Sequence, residues 1–190
     1  LTCGTRDSSH GYEHMKNVAR NSIYIYNKMY EDIKLTTMNK NKFFSLLLTI
    51  SWLHDVADKK YDHYGDAAVQ LRLFIQSMFG DDVDLILNTI LRTSYSNEIN
   101  MINEYGELDW SEKLGKDGLI LRNIVSDADK LEAIGLQGVY RCMTYNLELL
   151  KKKSSTIVEE ELIKNVKKHA DIKLLKLSEK FIKTPIAKEM

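Results

Sequence analysis

The chain has 190 residues, 44% of them hydrophobic and 28% charged, which is the size and composition of one soluble globular domain. Lysine plus arginine and aspartate plus glutamate both number 27, so the zero net charge gives no electrostatic reason to expect nucleic acid or a membrane surface as a partner. The longest apolar run, residues 43–53, is shorter than the ~18 residues of a membrane span.

One proline and nine glycines favour helices over an all-β fold, which would need many tight turns. Apolar residues at helical spacing predict helices over residues 9–31, 42–56, 66–79, 82–93, 117–133, 136–152 and 158–183. The second of these is apolar on nearly every side, as is typical of a helix at the centre of a bundle. Residues 94–116 are rich in Asn, Glu, Gly and Ser and predict an irregular loop or lid. The two cysteines form no spacing pattern, and no signal peptide is visible, so we expect a cytoplasmic protein.

Three segments place polar side chains where apolar ones would be expected or where they can face one another. His54 and Asp55 end the apolar second helix. His10 and His14 are four residues apart and would share one helical face. Asp127 and Asp129 lie in an otherwise apolar stretch and need partners there.

Each of these features alone also fits a hydrogen-bonded pair in a core or at a helix end. Together they supply imidazole and carboxylate ligands from three separated helices, a set that suits a divalent transition metal. Residues 10–14 also match the H-x-x-E-H zinc-protease pattern, with Glu13 as the base. That alternative is weak, because Gly11 disfavours the helix it needs and the other two segments stay unexplained.

The three segments together resemble the HD-domain metal-dependent phosphohydrolases, in particular the small stand-alone bacterial-type HD proteins. Residues 9–14 (S-H-G-Y-E-H) are similar to the S-H-x-x-x-H opening of the family, and residues 53–60 (L-H-D-V-A-D-K-K) to its L-H-D-I-x-D-x-K segment. Residues 125–135 (V-S-D-A-D-K-L-E-A-I-G) are similar to its D-A-D-R-L-D-A-I-G segment. The match covers about residues 8–142.

The resemblance implies an all-α, single-domain helical bundle of the HD-domain type, with a C-terminal helical extension over residues 143–190. It also implies that one divalent metal ion (Mn, Fe, Co, Ni, Mg or Zn), with a second left open, is bound by His14, His54, Asp55 and Asp129. Asp127 would not bind the ion itself but would orient a histidine ligand or a metal-bound water.

Three further residues complete the implied site. Asp58 would position or deprotonate the attacking water, and Lys60 would contact a phosphate. His10 would either donate a proton on the substrate side or cap a helix. The implied reaction is hydrolysis of a phosphate ester or anhydride, most naturally of a nucleotide, by a (d)NTP pyrophosphohydrolase or a nucleotide phosphatase.

The sequence departs from the family pattern at two positions. Asn17 stands where the family has arginine, and an asparagine cannot make the forked hydrogen bonds of a guanidinium group. Thr93 stands where a histidine is frequent, which puts a second metal or a substrate contact in doubt. The Asn17 departure keeps open a different class of function, a metal-stabilised binding or regulatory module without turnover.

Overall fold

The structure is a computed structural model that describes residues 11–57, 65–107, 109–153, 159–171 and 176–190. Within these ranges every regular element is helical, which confirms the all-α prediction. The helices are α1 (Tyr12–Met29), α2 (Lys40–Leu53), α3 (Asp66–Phe79), α4 (Val83–Leu91), α5 (Tyr95–Tyr105), α6 (Ser111–Leu131), α7 (Gly135–Lys153), α8 (Glu159–His169) and α9 (Pro185–Glu189). None of the helices in the described ranges is long and apolar enough to cross a membrane.

The core forms where α1, α2 and α4 pack around α6. Helix α2 contributes Phe43, Leu46, Leu47 and Ile50, all almost completely buried, as expected for a helix that is apolar on nearly every side. The α1 stripe contributes Met15, Val18, Ala19, Ile25 and Tyr26. The three helices that carry the histidines and aspartates of the sequence motifs are therefore held side by side by apolar burial.

Helix α5 corrects the expectation of an irregular loop or lid over residues 94–116. The Ser94 side chain caps the helix by accepting a hydrogen bond from the backbone N–H of Asn97. Gly106 ends it in the left-handed region, at φ 78°. Although α5 is mostly polar, it is held in the fold by a tertiary contact, because the fully buried Glu98 pairs with Arg122 and Lys130 of α6.

The C-terminal part corrects the expectation of one long helix over residues 158–183. Helix α8 ends at His169, a π-helical turn follows at Leu177–Phe181, and Ile182 has an extended backbone. The Asp127 carboxylate accepts hydrogen bonds from the backbone N–H groups of Lys183 and Thr184, at 2.6 to 3.0 Å. These bonds fix the extended segment on α6 and place Pro185 at the first turn of α9.

A second carboxylate of α6 holds the loop between α1 and α2. Asp117 is buried and accepts hydrogen bonds from the backbone N–H groups of Thr36, Thr37 and Met38, at 2.7 to 3.2 Å. The hydroxyl groups of both threonines also donate to it. Gly115, at φ 63°, separates the first turn of α6 from the helix that carries Asp117, so a glycine is required there.

Candidate metal centre

The four side chains expected to bind metal meet at one end of the bundle. His14 lies in the first turn of α1, three residues after the N-cap Gly11. His54 is the C-cap residue of α2, and Asp55 follows it in the turn beyond the helix. Asp129 lies in the last turn of α6. Each ligand is thus at a helix end, where the packing of α1 and α2 on α6 brings them together.

The carboxylates and imidazoles face one another at short distances. His14 Nε2 lies 3.3 Å from Asp129 Oδ1 and 3.8 Å from Asp55 Oδ2. His54 Nε2 lies 3.8 Å from Asp129 Oδ1 and 4.0 Å from Asp55 Oδ1. One potential ligand atom from each of His14, His54 and Asp55 lies within 4.8 Å of the other two, a spacing at which one ion can be held.

His54 is prepared to act as a metal ligand through Nε2. Its Nδ1 lies 2.8 Å from the carbonyl oxygen of Ser51 and donates a proton to it, which leaves the lone pair of the neutral ring on Nε2. Nε2 is buried and has no hydrogen-bond partner within the described part of the chain. A buried polar atom without a partner is costly, and a metal ion in front of it would remove that cost.

The electrostatics of the site keep Asp129 ionised. Burial by itself raises the pKa of the Asp129 carboxyl, but the hydrogen bond from His14 and the positive electrostatic effect of His54, His14 and Arg141 outweigh it. The pKa of Asp129 is therefore well below its usual range. An imidazole whose Nε2 faces the site and an ionised carboxylate are the donors that borderline divalent ions such as Mn²⁺, Fe²⁺, Co²⁺ and Ni²⁺ accept, so His54 and Asp129 fit a metal.

Asp127 differs from its expected role. Its carboxylate is buried and bonded to the backbone of Lys183 and Thr184, so it anchors the C-terminal segment instead of orienting a histidine or a metal-bound water. Side chains two residues apart on a helix point in different directions, which separates Asp127 from Asp129.

The remaining predicted residues fall into two groups. His10, Asp58 and Lys60 lie outside the described residues, and their roles stay predictions. The two departures from the family pattern both have partners. The Asn17 side chain donates to Glu132 Oε2 at 3.1 Å, and the Thr93 hydroxyl donates to the carbonyl of Ile90.

Two residues near the site were not singled out from the sequence. Arg141 of α7 acts electrostatically on Asp129. Glu132 is the C-cap residue of α6 and follows Asp129 by three residues. Glu132 could have been noticed from its spacing to Asp129 in the D-x-x-E pattern, since residues three apart share a helix face. Arg141 had no such signal, because it is on another helix.

The fold of the chain matches solved structures of two bacterial proteins. The crystal structure of a Lactobacillus plantarum protein, a Northeast Structural Genomics target, gives a TM-score of 0.66 at 25% identity, covering 98% of this chain and 80% of that one. Bacillus subtilis YpgQ gives 0.60 at 21% identity, covering 93% and 76%, and its selenomethionine form gives 0.61 at 22% identity, covering 93% and 77%. No family model and no curated protein matches the chain. These likenesses establish the helical fold and name no activity.

Proposed function

We propose that this protein is a metal-dependent phosphohydrolase that cleaves a phosphate ester or anhydride, with a nucleotide as its substrate. The observation that carries the proposal is the meeting of His14, His54, Asp55 and Asp129, with the buried Nε2 of His54 left for a metal ion. The resemblance of three sequence segments to HD-domain phosphohydrolases supports it, because the residues brought together belong to all three segments.

The metal ion would lower the pKa of a bound water and offset negative charge on the phosphate. The protein holds the site in shape by two means. The Ser51 carbonyl fixes the tautomer and orientation of the His54 ring. Packing of α1 and α2 against α6 sets the separation of His14, Asp55 and Asp129 before any ion binds.

The groups that would act on water and substrate come from the sequence prediction. We assign Asp58 to hold or deprotonate the attacking water, since it follows Asp55 by three residues. Lys60 would contact a phosphate oxygen, and His10 would donate a proton to the leaving group. Arg141 is a further cation at this end of the molecule, and it offsets the charge of Asp129.

The zinc-protease alternative from the sequence finds less support in the geometry. A zinc protease would need Glu13 at the metal, but its carboxylate is exposed and pairs with Lys16 Nζ at 3.3 Å. The Asn17 departure leaves open a module without turnover, which the activity test below distinguishes from an enzyme. A cytoplasmic location, expected from the sequence, is part of the proposal.

The test is hydrolysis of a panel of nucleoside mono-, di- and triphosphates with Mn²⁺, Mg²⁺, Co²⁺ or Ni²⁺, with the products identified. We expect metal-dependent release of phosphate or pyrophosphate that falls at least about a hundredfold in Asp129→Asn, because the metal supplies several kcal/mol of charge stabilisation. The control is Asp84→Asn, an exposed carboxylate paired with Arg72, which should retain full activity. A folded, metal-loaded protein that hydrolyses nothing on the panel would contradict the proposal and favour the inactive module.

A further inference from the structure

Helices α1 and α6 are joined by a side-chain hydrogen bond next to the candidate metal centre. The Nδ2 group of Asn17 donates to Oε2 of Glu132 at 3.1 Å. Glu132 is 8% exposed, although it carries a carboxylate. A nearly buried carboxylate is stable only with a partner, so this contact is part of the native packing.

The hydrogen bond lies one helical turn from two of the metal-site residues. Asn17 follows His14 by three residues on α1, and Glu132 follows Asp129 by three residues at the end of α6. Residues three apart are neighbours on a helix surface. The Asn17–Glu132 contact and the 3.3 Å approach of His14 to Asp129 are therefore two successive contacts across the same pair of helices.

These two contacts have different consequences for the helix pair. Apolar packing of residues such as Val18 and Ala128 holds α1 against α6 but has no preferred direction. A hydrogen bond does depend on distance and angle, and it weakens steeply when either changes. A shift of α1 along α6 that separated His14 from Asp129 would also break the bond between Asn17 and Glu132.

We propose that Asn17 and Glu132 are positioning residues that set the spacing of His14 and Asp129 for metal binding. This inference rests on the proposed metal site and adds to it the contact that keeps two of its ligands in register. Neither residue is a ligand in the proposal. The pair also explains how the site can do without the arginine expected at position 17.

The test is Co²⁺ binding to the full chain, measured by calorimetry and by the visible absorption of the bound ion, which reports its coordination geometry. Asn17→Ala and Glu132→Ala should each weaken Co²⁺ binding about tenfold, the low end for residues that support metal ligands, and alter the spectrum. The double substitution should cost no more than the larger single one, because both remove the same contact. Lys16→Ala, in an exposed pair on the same helix, is the control and should bind as the unaltered protein does.

A rescue variant separates positioning from general loss of stability. Asn17→Gln lengthens one side chain by a methylene group and Glu132→Asp shortens the other, so the double variant retains the combined length. Each single change should weaken Co²⁺ binding, and the pair should restore both affinity and spectrum. Single variants that fold and bind within about twofold of the unaltered protein would overturn the inference alone. An unaltered protein that binds no metal would overturn the proposed function, and the inference with it.

Discussion

Three aspartates of α6 have different roles because their surroundings differ. Asp117 accepts hydrogen bonds from three backbone N–H groups and two hydroxyl groups of the α1–α2 loop. Asp127 accepts from the backbone of the C-terminal segment, and Asp129 faces His14 and His54. Of these three aspartates, only Asp129 lies where it could bind an ion together with imidazole groups.

Asp117→Asn is expected to destabilise the protein by about 1–3 kcal/mol at neutral pH, because the amide cannot accept all the bonds that the carboxylate accepts. Burial raises the pKa of Asp117, but hydrogen bonds from Thr37 and Thr36 lower it overall from 3.8 to about 2. With a folded-state pKa below the unfolded one, the ionised carboxyl stabilises the fold above pH 3.8, and this contribution is lost as the pH falls through about 2.

The measurement for Asp117 is urea unfolding of both proteins over a range of pH. Their difference in unfolding free energy should be constant near neutrality and shrink between about pH 4 and pH 2. Asp84→Asn, an exposed control, should change stability by less than about 0.5 kcal/mol. A difference for Asp117→Asn that stayed constant down to pH 2 would contradict the assignment.

The sequence predicted that buried carboxylates of α6 need partners, but it could not say which partners. The partners of Asp127 are the backbone N–H groups of Lys183 and Thr184, more than fifty residues further along the chain. A backbone N–H group is common to nearly all residue types, so the sequence does not mark it. That His14, His54, Asp55 and Asp129 meet was predictable because histidine and aspartate are chemically distinctive and match a known pattern. Glu132 has only its spacing to Asp129 as a signal, and Arg141, on another helix, has none.

At the scale of elements, α5 depends on its contacts with α6. Glu98 is fully buried, and its Oε1 accepts from Lys130 at 3.0 Å and from Arg122. Burial lowers the pKa of Lys130, although the charge of Glu98 opposes this effect. The period of apolar residues cannot reveal such a helix, because the residue that anchors it is charged.

Glu98→Ala should destabilise the protein by about 3–5 kcal/mol, since it leaves two buried cations without their counter-charge. Urea unfolding at neutral pH is the measurement. Glu104→Ala, on the exposed side of the same helix, is the matched control and should cost less than about 0.5 kcal/mol. Equal losses in the two variants would show that the ionic cluster does not hold α5 in place.

The C-terminal segment shows where helical periodicity misleads. Residues 158–183 have the pattern of an amphipathic helix, yet the chain at Ile182 is extended and Asp127 binds the next two backbone N–H groups. Burial raises the pKa of Asp127, and the hydrogen bonds from Thr184 and Lys183 oppose this. A tertiary contact therefore replaces the local bonds that would have continued the helix.

Asp127→Asn should loosen the C-terminal segment without affecting the metal site. We expect amide hydrogen exchange at Lys183 and Thr184 to become about tenfold faster or more, because each loses a bond to a charged group worth about 1.5–3 kcal/mol. Exchange in α1, for example at Val18, should not change, and metal affinity should stay within about twofold. Loss of metal binding with unchanged exchange at positions 183 and 184 would instead restore Asp127 to the role expected from the sequence.

At the scale of the whole molecule, the site exists because the start of α1 lies beside the ends of α2 and α6. Apolar burial along α1, α2 and α6 brings their histidines and aspartates together before any ion binds. Two imidazoles and two carboxylates at distances of 3.3 to 4.0 Å are costly without a cation or protons between them. A metal ion bound between them would therefore stabilise the bundle.

The most direct test of this account is calorimetric titration of the metal-free protein with Mn²⁺ or Co²⁺, comparing it with His54→Ala and Asp129→Asn. The account predicts binding to the unaltered protein at a site that includes both residues, with affinity reduced at least about a hundredfold in each folded variant, because each lacks one ligand. No binding to the unaltered protein, or equal binding to all three, would contradict it.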